Sequence, residues 1–251
     1  MIKTIPENIL RILSDCTIDG NIVRLPEGQL DRGIYEQVNK CLTDIGGKWD
    51  KRKAIKGHLF DDDPTELMEN LINSGVTESI KQKLQFFETP PEMAQRMVEL
   101  AEIKLGDTIL EPSAGLAGIA KFLPRENLLC VEFDHNRDMA LTNMGYDSIE
   151  CDFLGYTPHF LFDRVVMNPP FSKQQDISHV LHAWSMLEDG GIMVSVVSAS
   201  AFFRTNKKSI EFQQWLQQNN ADIYDNQDDA FKASGAMVRT KIIKARKRKE
   251  K

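Results

Sequence analysis

Arg164-Val165-Val166-Met167-Asn168-Pro169-Pro170-Phe171 is a largely apolar run that ends in two prolines, and the polar Ser172-Lys173-Gln174-Gln175 follows it. Proline has no N–H to give to a sheet ladder, so the pair sets Asn168 to Phe171 just past the C-terminal end of a strand. In open α/β sheets, ligands bind in the crevice outside those ends. A side-chain amide beside a rigidly held proline carbonyl presents two hydrogen-bond acceptors. They suit an exocyclic amino group, whose lone pair is delocalised into its ring or carbonyl. Two acceptors draw such a nitrogen toward tetrahedral geometry and localise the pair for attack, with no general base of high pKa required. Phe171 adds a face on which a planar base can stack. Taken alone, the four residues equally fit a plain strand-terminating turn, and the surrounding chain has to decide.

From residue 86 onward strands alternate with helices. Thr108–Leu110, Leu128–Val131, Ser148–Glu150, Arg164–Met167 and Ile192–Val197 read as strands, with Ala221–Tyr224 and Val238–Ile243 as a closing hairpin pair. Helical spacing marks Glu92–Ile103, Arg137–Met144 and Gln175–Leu187. The alternation predicts an α/β fold with a mostly parallel sheet of seven strands. Three strand ends ahead of Asn168 carry ligand-competent groups. The first runs into Glu111-Pro112-Ser113-Ala114-Gly115-Leu116-Ala117-Gly118 and then a predicted helix, a glycine-containing turn that lets backbone approach a ligand closely. The second ends in Glu132-Phe133, an acid about twenty residues past the loop, the spacing at which a carboxylate meets a ribose diol. The third ends in Asp152-Phe153, a carboxylate for an adenine amino group and an aromatic for its face.

In these motifs and their order, residues 86–243 resemble the class I S-adenosylmethionine-dependent amino-methyltransferases, most closely the DNA N6-adenine methyltransferases. The resemblance implies a Rossmann-like class I methyltransferase fold with S-adenosyl-L-methionine as cofactor. It implies Phe87, Thr89 and Pro90 over the methionine end of that cofactor, and Glu111, Pro112, Ser113, Ala114 and Gly115 as its loop. Glu132 with Phe133 then meets the ribose, Asp152 with Phe153 meets the adenine, and Asn168, Pro169, Pro170 and Phe171 form the catalytic tetrapeptide. Asn168 also borders the cofactor. Phe231 is similar to the late aromatic that helps hold a flipped base. One departure is visible: Ala117 stands where the family usually has a second loop glycine, and alanine resists positive φ, so a reshaped loop is expected. Two other amino-methyltransferase groups share an Asn-Pro-Pro-aromatic turn, acting on guanine N2 of ribosomal RNA or on protein glutamine. A different class, a catalytically silent nucleic-acid-binding subunit, is expected to carry a broken tetrapeptide.

Residues 1–85 read as a small α/β unit: an amphipathic Ile5 to Leu13, a hairpin around Asp19-Gly20, a helix from Asp31 stopped by Gly46-Gly47, and a helix Thr65 to Asn73. Between the last two, Lys48 to Phe60 interleaves basic and aromatic residues. It fits a phosphate-contacting ribbon using Lys51, Arg52 and Lys53, and equally a solvated hairpin with Trp49 and Phe60 turned into a small core. Large sequence-specific relatives carry an added recognition domain, so recognition of DNA is expected from residues 1–85, from loops, or from a partner specificity subunit. Residues 239–251 hold eight Lys/Arg against one Glu in a chain of net charge −6, so the body is acidic and 244–251 is expected as a basic tail. Cys16, Cys41, Cys130 and Cys151 form no C-x-x-C pair, which argues against a zinc ribbon or disulfide scaffold and for a reducing, cytoplasmic setting. Cys151 is expected as a buried small apolar residue, and His179 and His182 as ordinary surface or packing residues, with no metal site. No stretch is apolar enough for a signal peptide or membrane span.

Overall fold

The computed structural model describes residues 5–28, 30–52, 55–60, 63–75, 88–226 and 239–248. The N-terminal part begins with helix α1 (Glu7–Ser14) and the short hairpin β1 (Thr17–Asp19) and β2 (Ile22–Arg24), whose turn holds Gly20 at φ +58°. Helix α2 (Arg32–Asp44) starts where Asp31 Oδ1 accepts from the amides of Gly33 and Ile34, at 2.8 and 3.4 Å, and thereby satisfies orphan donors of the first turn. Strands β3 (Lys48–Asp50) and β4 (Gly57–Leu59) complete an antiparallel sheet in the order β1-β2-β4-β3, and α3 (Thr65–Ser74) follows. Ile9, Leu13, Val38, Leu42, Phe60 and Leu71 make its core, which Phe203 from the larger sheet's side also enters.

The larger sheet has seven strands in the order β10-β11-β9-β8-β5-β6-β7. They are β5 (Ile109–Pro112), β6 (Leu128–Glu132), β7 (Asp147–Glu150), β8 (Phe162–Met167), β9 (Leu187–Ser198), β10 (Asp222–Asp225) and β11 (Thr240–Arg246). Strands β5 to β9 run parallel, and β11 is antiparallel to both neighbours. Helices α4 (Pro91–Leu100), α5 (His135–Asn143), α6 (Gln175–Ser185) and α7 (Lys207–Gln218) cover the faces, giving one core around Ile109, Val166 and Val194 and another around Leu110, Val165 and Phe212. Strand order reverses between β5 and β8, and that junction is where a parallel sheet opens a crevice.

Four expectations change. The stretch after the Glu111–Gly118 loop is no α-helix but one 3-10 turn, Ala120–Phe122, because Pro124 follows too soon for an α-helical turn to establish. The last strand runs on to Arg246, so 244–246 belong to the sheet and not to the tail; Lys244 and Arg246 both reach Glu102, at 2.5 and 2.6 Å. Phe60 is buried as the hairpin reading expects, whereas Trp49 stays 44% exposed against Tyr35 and His58. Cys151 is only partly buried and borders a cavity. Among the described residues no helix is long and apolar enough to cross a membrane.

Candidate active site

A cavity of about 350 Å³ opens at the C-terminal ends of β5, β6 and β8. One wall is the loop after β5, where Ser113, Gly115 and Ala117 all take left-handed backbone, at φ +60°, +61° and +61°. Ala117 therefore adopts a left-handed conformation that alanine resists, at a cost to an L-residue of about 1–2 kcal/mol. Gly118 leaves room that a side chain would take, since an added Cβ would sit 3.2 Å from Thr89 N and from Glu88 Cγ.

Glu111 and Glu132 are 2% and 4% exposed. Burial pushes the Glu111 carboxyl well above its usual range, the amides of Ile119 and Ala120 pulling the other way, and its Oε2 has no hydrogen-bond partner. Glu132 Oε2 accepts from the Gly115 amide at 2.8 Å, tying β6 to the loop. Its Oε1 accepts from the Asp134 amide at 3.0 Å and from the Arg137 guanidinium at 3.0 and 2.8 Å. Phe133 is 74% exposed at the cavity's rim. Asp152 Oδ1 accepts from the Leu154 amide at 3.0 Å, and Phe153 is buried against His179 and His182.

Asn168 to Phe171 border the same cavity. Asn168 Nδ2 donates to Thr89 Oγ1 at 3.0 Å, which sets the amide's orientation; Thr89 is itself buried. Pro112, Ser113, Ala114 and Gly115 form the turn out of β5, and Pro90 opens α4. Phe171 is 8% exposed and packs into the core. The structure thus brings together Thr89, Glu111, Ser113, Ala114, Glu132, Phe133, Asp152, Phe153 and Asn168 to Phe171. Phe87, Lys53 and Phe231 lie outside the described residues. Lys51 and Arg52 sit apart on the β3–β4 hairpin, where Asp50 grips the Arg52 guanidinium at 2.5 Å.

Sequence reasoning missed His179. It is 5% exposed, faces the cavity, and its Nδ1 lies 3.4 Å from Ser113 Oγ. Burial lowers its pKa to about 4, so the ring is neutral. Gln175 and His179 border the cavity one helical turn apart, a placement that no sequence signal marks. His182 is the packing residue expected, bonded to the Tyr156 carbonyl at 3.0 Å. Among the described residues no group of three or more His, Cys, Asp or Glu side chains could hold a metal.

No protein-family model matches the sequence, and no curated protein matches it either. Among solved structures, the chain is similar to a Listeria monocytogenes protein described as a class I S-adenosylmethionine-dependent methyltransferase, at 14% identity and TM-score 0.53 over 67% of this chain. That match spans 62% of the other protein, less than two thirds of its length. It is also similar to a Pyrococcus horikoshii protein described as an RNA methyltransferase, at 18% identity and TM-score 0.49, over 66% of this chain and 89% of that one. A Streptococcus thermophilus rRNA methylase matches at 11% identity and TM-score 0.46, over 64% and 98%. The first likeness is one of fold: the seven-stranded sheet, with six strands running one way and β11 antiparallel to them, is that of the Rossmann-like class I methyltransferases.

Proposed function

We propose that the chain transfers the methyl group of S-adenosylmethionine to an exocyclic amino nitrogen, the N6 of an adenine turned out of DNA. The observation that carries this is the meeting of Asn168 to Phe171 with Glu111, Glu132 and Asp152 around one cavity. The donor set fits the cofactor. Glu111, buried with an unpartnered oxygen, suits the ammonium of the methionine end, and a cation there would offset the cost of burying its charge. Glu132 Oε2, with a single donor on it, keeps capacity for a ribose hydroxyl. Asp152 suits the adenine amino group; Phe153, expected to offer the ring a face, is 3% exposed, and exposed Phe133 offers that face instead. Held there, S-adenosylmethionine supplies a methyl group activated by its sulfonium.

The chain's own part is to prepare the nucleophile. Asn168, held through its nitrogen by Thr89, turns its oxygen to the incoming NH2 group as an acceptor, and the Pro169 carbonyl is a second. The two prolines fix that carbonyl before the substrate arrives, so no reorganisation is needed at the moment of transfer. Nucleic acid as substrate is supported by the N-terminal unit: exposed Lys51 and Lys56 lie on the hairpin that carries exposed Trp49, and helix α3 of the same unit packs against the turn Ser172–Gln174. A partner subunit that adds specificity would be retained in a pull-down with this chain.

The test is incubation with tritiated cofactor and, separately, adenine-containing duplex DNA, structured RNA and protein extract. N6-methyladenine in the digested DNA is the expected product. Label in guanine N2 or in glutamine would replace the substrate, and absence of label from all three would overturn the reaction.

A further inference from the structure

Directly after the tetrapeptide, Lys173 and Gln174 both adopt left-handed backbone, at φ +53° and +56°, with no glycine in the turn. Such a turn persists only when its surroundings over-determine it. Two sets of bonds do so. In one, the start of α7 grips Gln174: Lys208 Nζ donates to its carbonyl at 2.5 Å, its Nε2 donates to Ser209 Oγ at 2.7 Å, and Asn206 Nδ2 donates to its Oε1 at 3.3 Å. In the other, Asp176 in the first turn of α6, 1% exposed, accepts the Ser198 amide at 2.9 Å.

Both sets lead back to helix α3. Asn73 Oδ1 accepts from Ser198 Oγ at 3.0 Å and from Ser200 Oγ at 2.8 Å, all three residues being buried. Glu69 takes Arg204, which is 4% exposed, in a two-pronged ion pair at 3.0 and 2.9 Å, two residues ahead of Asn206. A recognition module hung on a catalytic body would not need buried polar bonds to the residues that pin the segment after its catalytic turn. We propose that α3 is part of the catalytic apparatus, with Asn73 and Glu69 as positioning residues that hold Ser198–Ser200 and Arg204–Ser209, and through them the Lys173–Gln174 turn and the tetrapeptide ahead of it. This deepens the methyl-transfer reading and rests on it only for its kinetic arm.

The experiment uses the full chain with Asn73→Leu, near in volume and without acceptors, and Glu69→Gln. Hydrogen exchange of residues 168–178, followed without any ligand, should quicken at least tenfold in Asn73→Leu while β5 and β6 keep their protection. In the kinetic arm, with tritiated S-adenosylmethionine and adenine-containing duplex DNA, kcat should fall 10- to 100-fold with cofactor affinity unchanged. Lys173→Gly, which adopts the left-handed turn freely, should restore at least a third of that loss when added to Asn73→Leu. Unchanged exchange at 168–178 overturns the proposal. So does a loss of kcat that tracks a loss of cofactor binding, or a glycine that restores nothing. If the wild type transfers no methyl, the exchange arm still reads the coupling, and the failure belongs to the reaction alone.

Discussion

Glu132 is committed before any ligand arrives: its Oε1 holds Asp134 and Arg137, and its Oε2 holds the Gly115 amide. It is therefore both a ligand candidate and the tie between β6 and the loop after β5. Charge-assisted bonds of this kind contribute about 1.5–3 kcal/mol each. Glu132→Ala is expected to weaken S-adenosylmethionine binding roughly 10- to 100-fold in calorimetry; an unchanged affinity would take the residue out of the site. Asn168→Ala should separate the other half of the chemistry. Its acceptor matters as the nitrogen rehybridises, so cofactor affinity should stay near the wild-type value while the single-turnover rate falls about 10²–10³-fold. A third residue is read through stability. Folded His179, held down to about 4 by burial, refuses a proton that the unfolded chain accepts near 6.5. Its contribution is thus full above pH 6.5 and is lost as the pH falls toward 4, because the unfolded state then binds more protons. The stability difference between wild type and His179→Gln, from urea titrations at several pH values, should shrink by up to about 1.4 kcal/mol for each pH unit across that window. A difference that does not vary with pH would mean that the ring is hydrated and titrates normally.

At the level of elements, the loop from β5 shows how far sequence reached. Its place after a strand was legible in Ile109-Leu110-Glu111-Pro112, and so was the acidic end of β6, because parallel strands buried on both faces read as apolar runs with polar ends; Asp152 follows β7, an exposed edge strand without that pattern, and was legible only from its place in the motif order. Its backbone was not legible: Ala117 reads as an obstacle to positive φ, yet tertiary packing holds it at +61° with its methyl buried. His179 escaped for a similar reason, since one histidine on a helix says nothing of the cavity that two strand ends and the tetrapeptide create beside it. Nor does composition reveal that Asp50 occupies Arg52, a pairing set by the β3 turn. Gly118 was legible only as a small residue, and the structure gives it a reason. A Cβ there meets Thr89 N at 3.2 Å, and Thr89 is what holds the Asn168 amide. Gly118→Ala should therefore shift Thr89 by a few tenths of an ångström and slow methyl transfer roughly tenfold, given how steeply rate depends on placement. Melting should move by only a few degrees. Full activity in that variant would show that the Thr89 bond is not needed to orient Asn168.

Across the whole molecule, charge is placed unevenly between the two sheets. The net charge of −6 conceals an acidic cavity and a basic hairpin, and a phosphate chain meets repulsion at the first unless the second offsets it. Of the residues that sequence put forward for that role, Lys53 lies outside the described residues and Arg52 is neutralised by Asp50. The tail contributes less than its composition suggests, because Lys244 and Arg246 are spent on Glu102. Lys51 and Lys56 are exposed near Trp49, whose ring is 44% exposed and buttressed edge-on by Tyr35, so the hairpin combines cations with a stacking surface. If both lysines touch phosphates, replacing them with alanine should lower the slope of log affinity against log salt by about 0.9 for each contact. Trp49→Ala should instead weaken binding by about 1–3 kcal/mol with the slope unchanged, since stacking releases no counterions. Arg52→Ala, whose charge already faces a carboxylate, should change the slope little. The measurement is a salt titration of DNA affinity for these variants beside a chain ending at Arg246. A slope that survives the lysine substitutions but collapses in the truncated chain would move phosphate recognition from the hairpin to the last five residues.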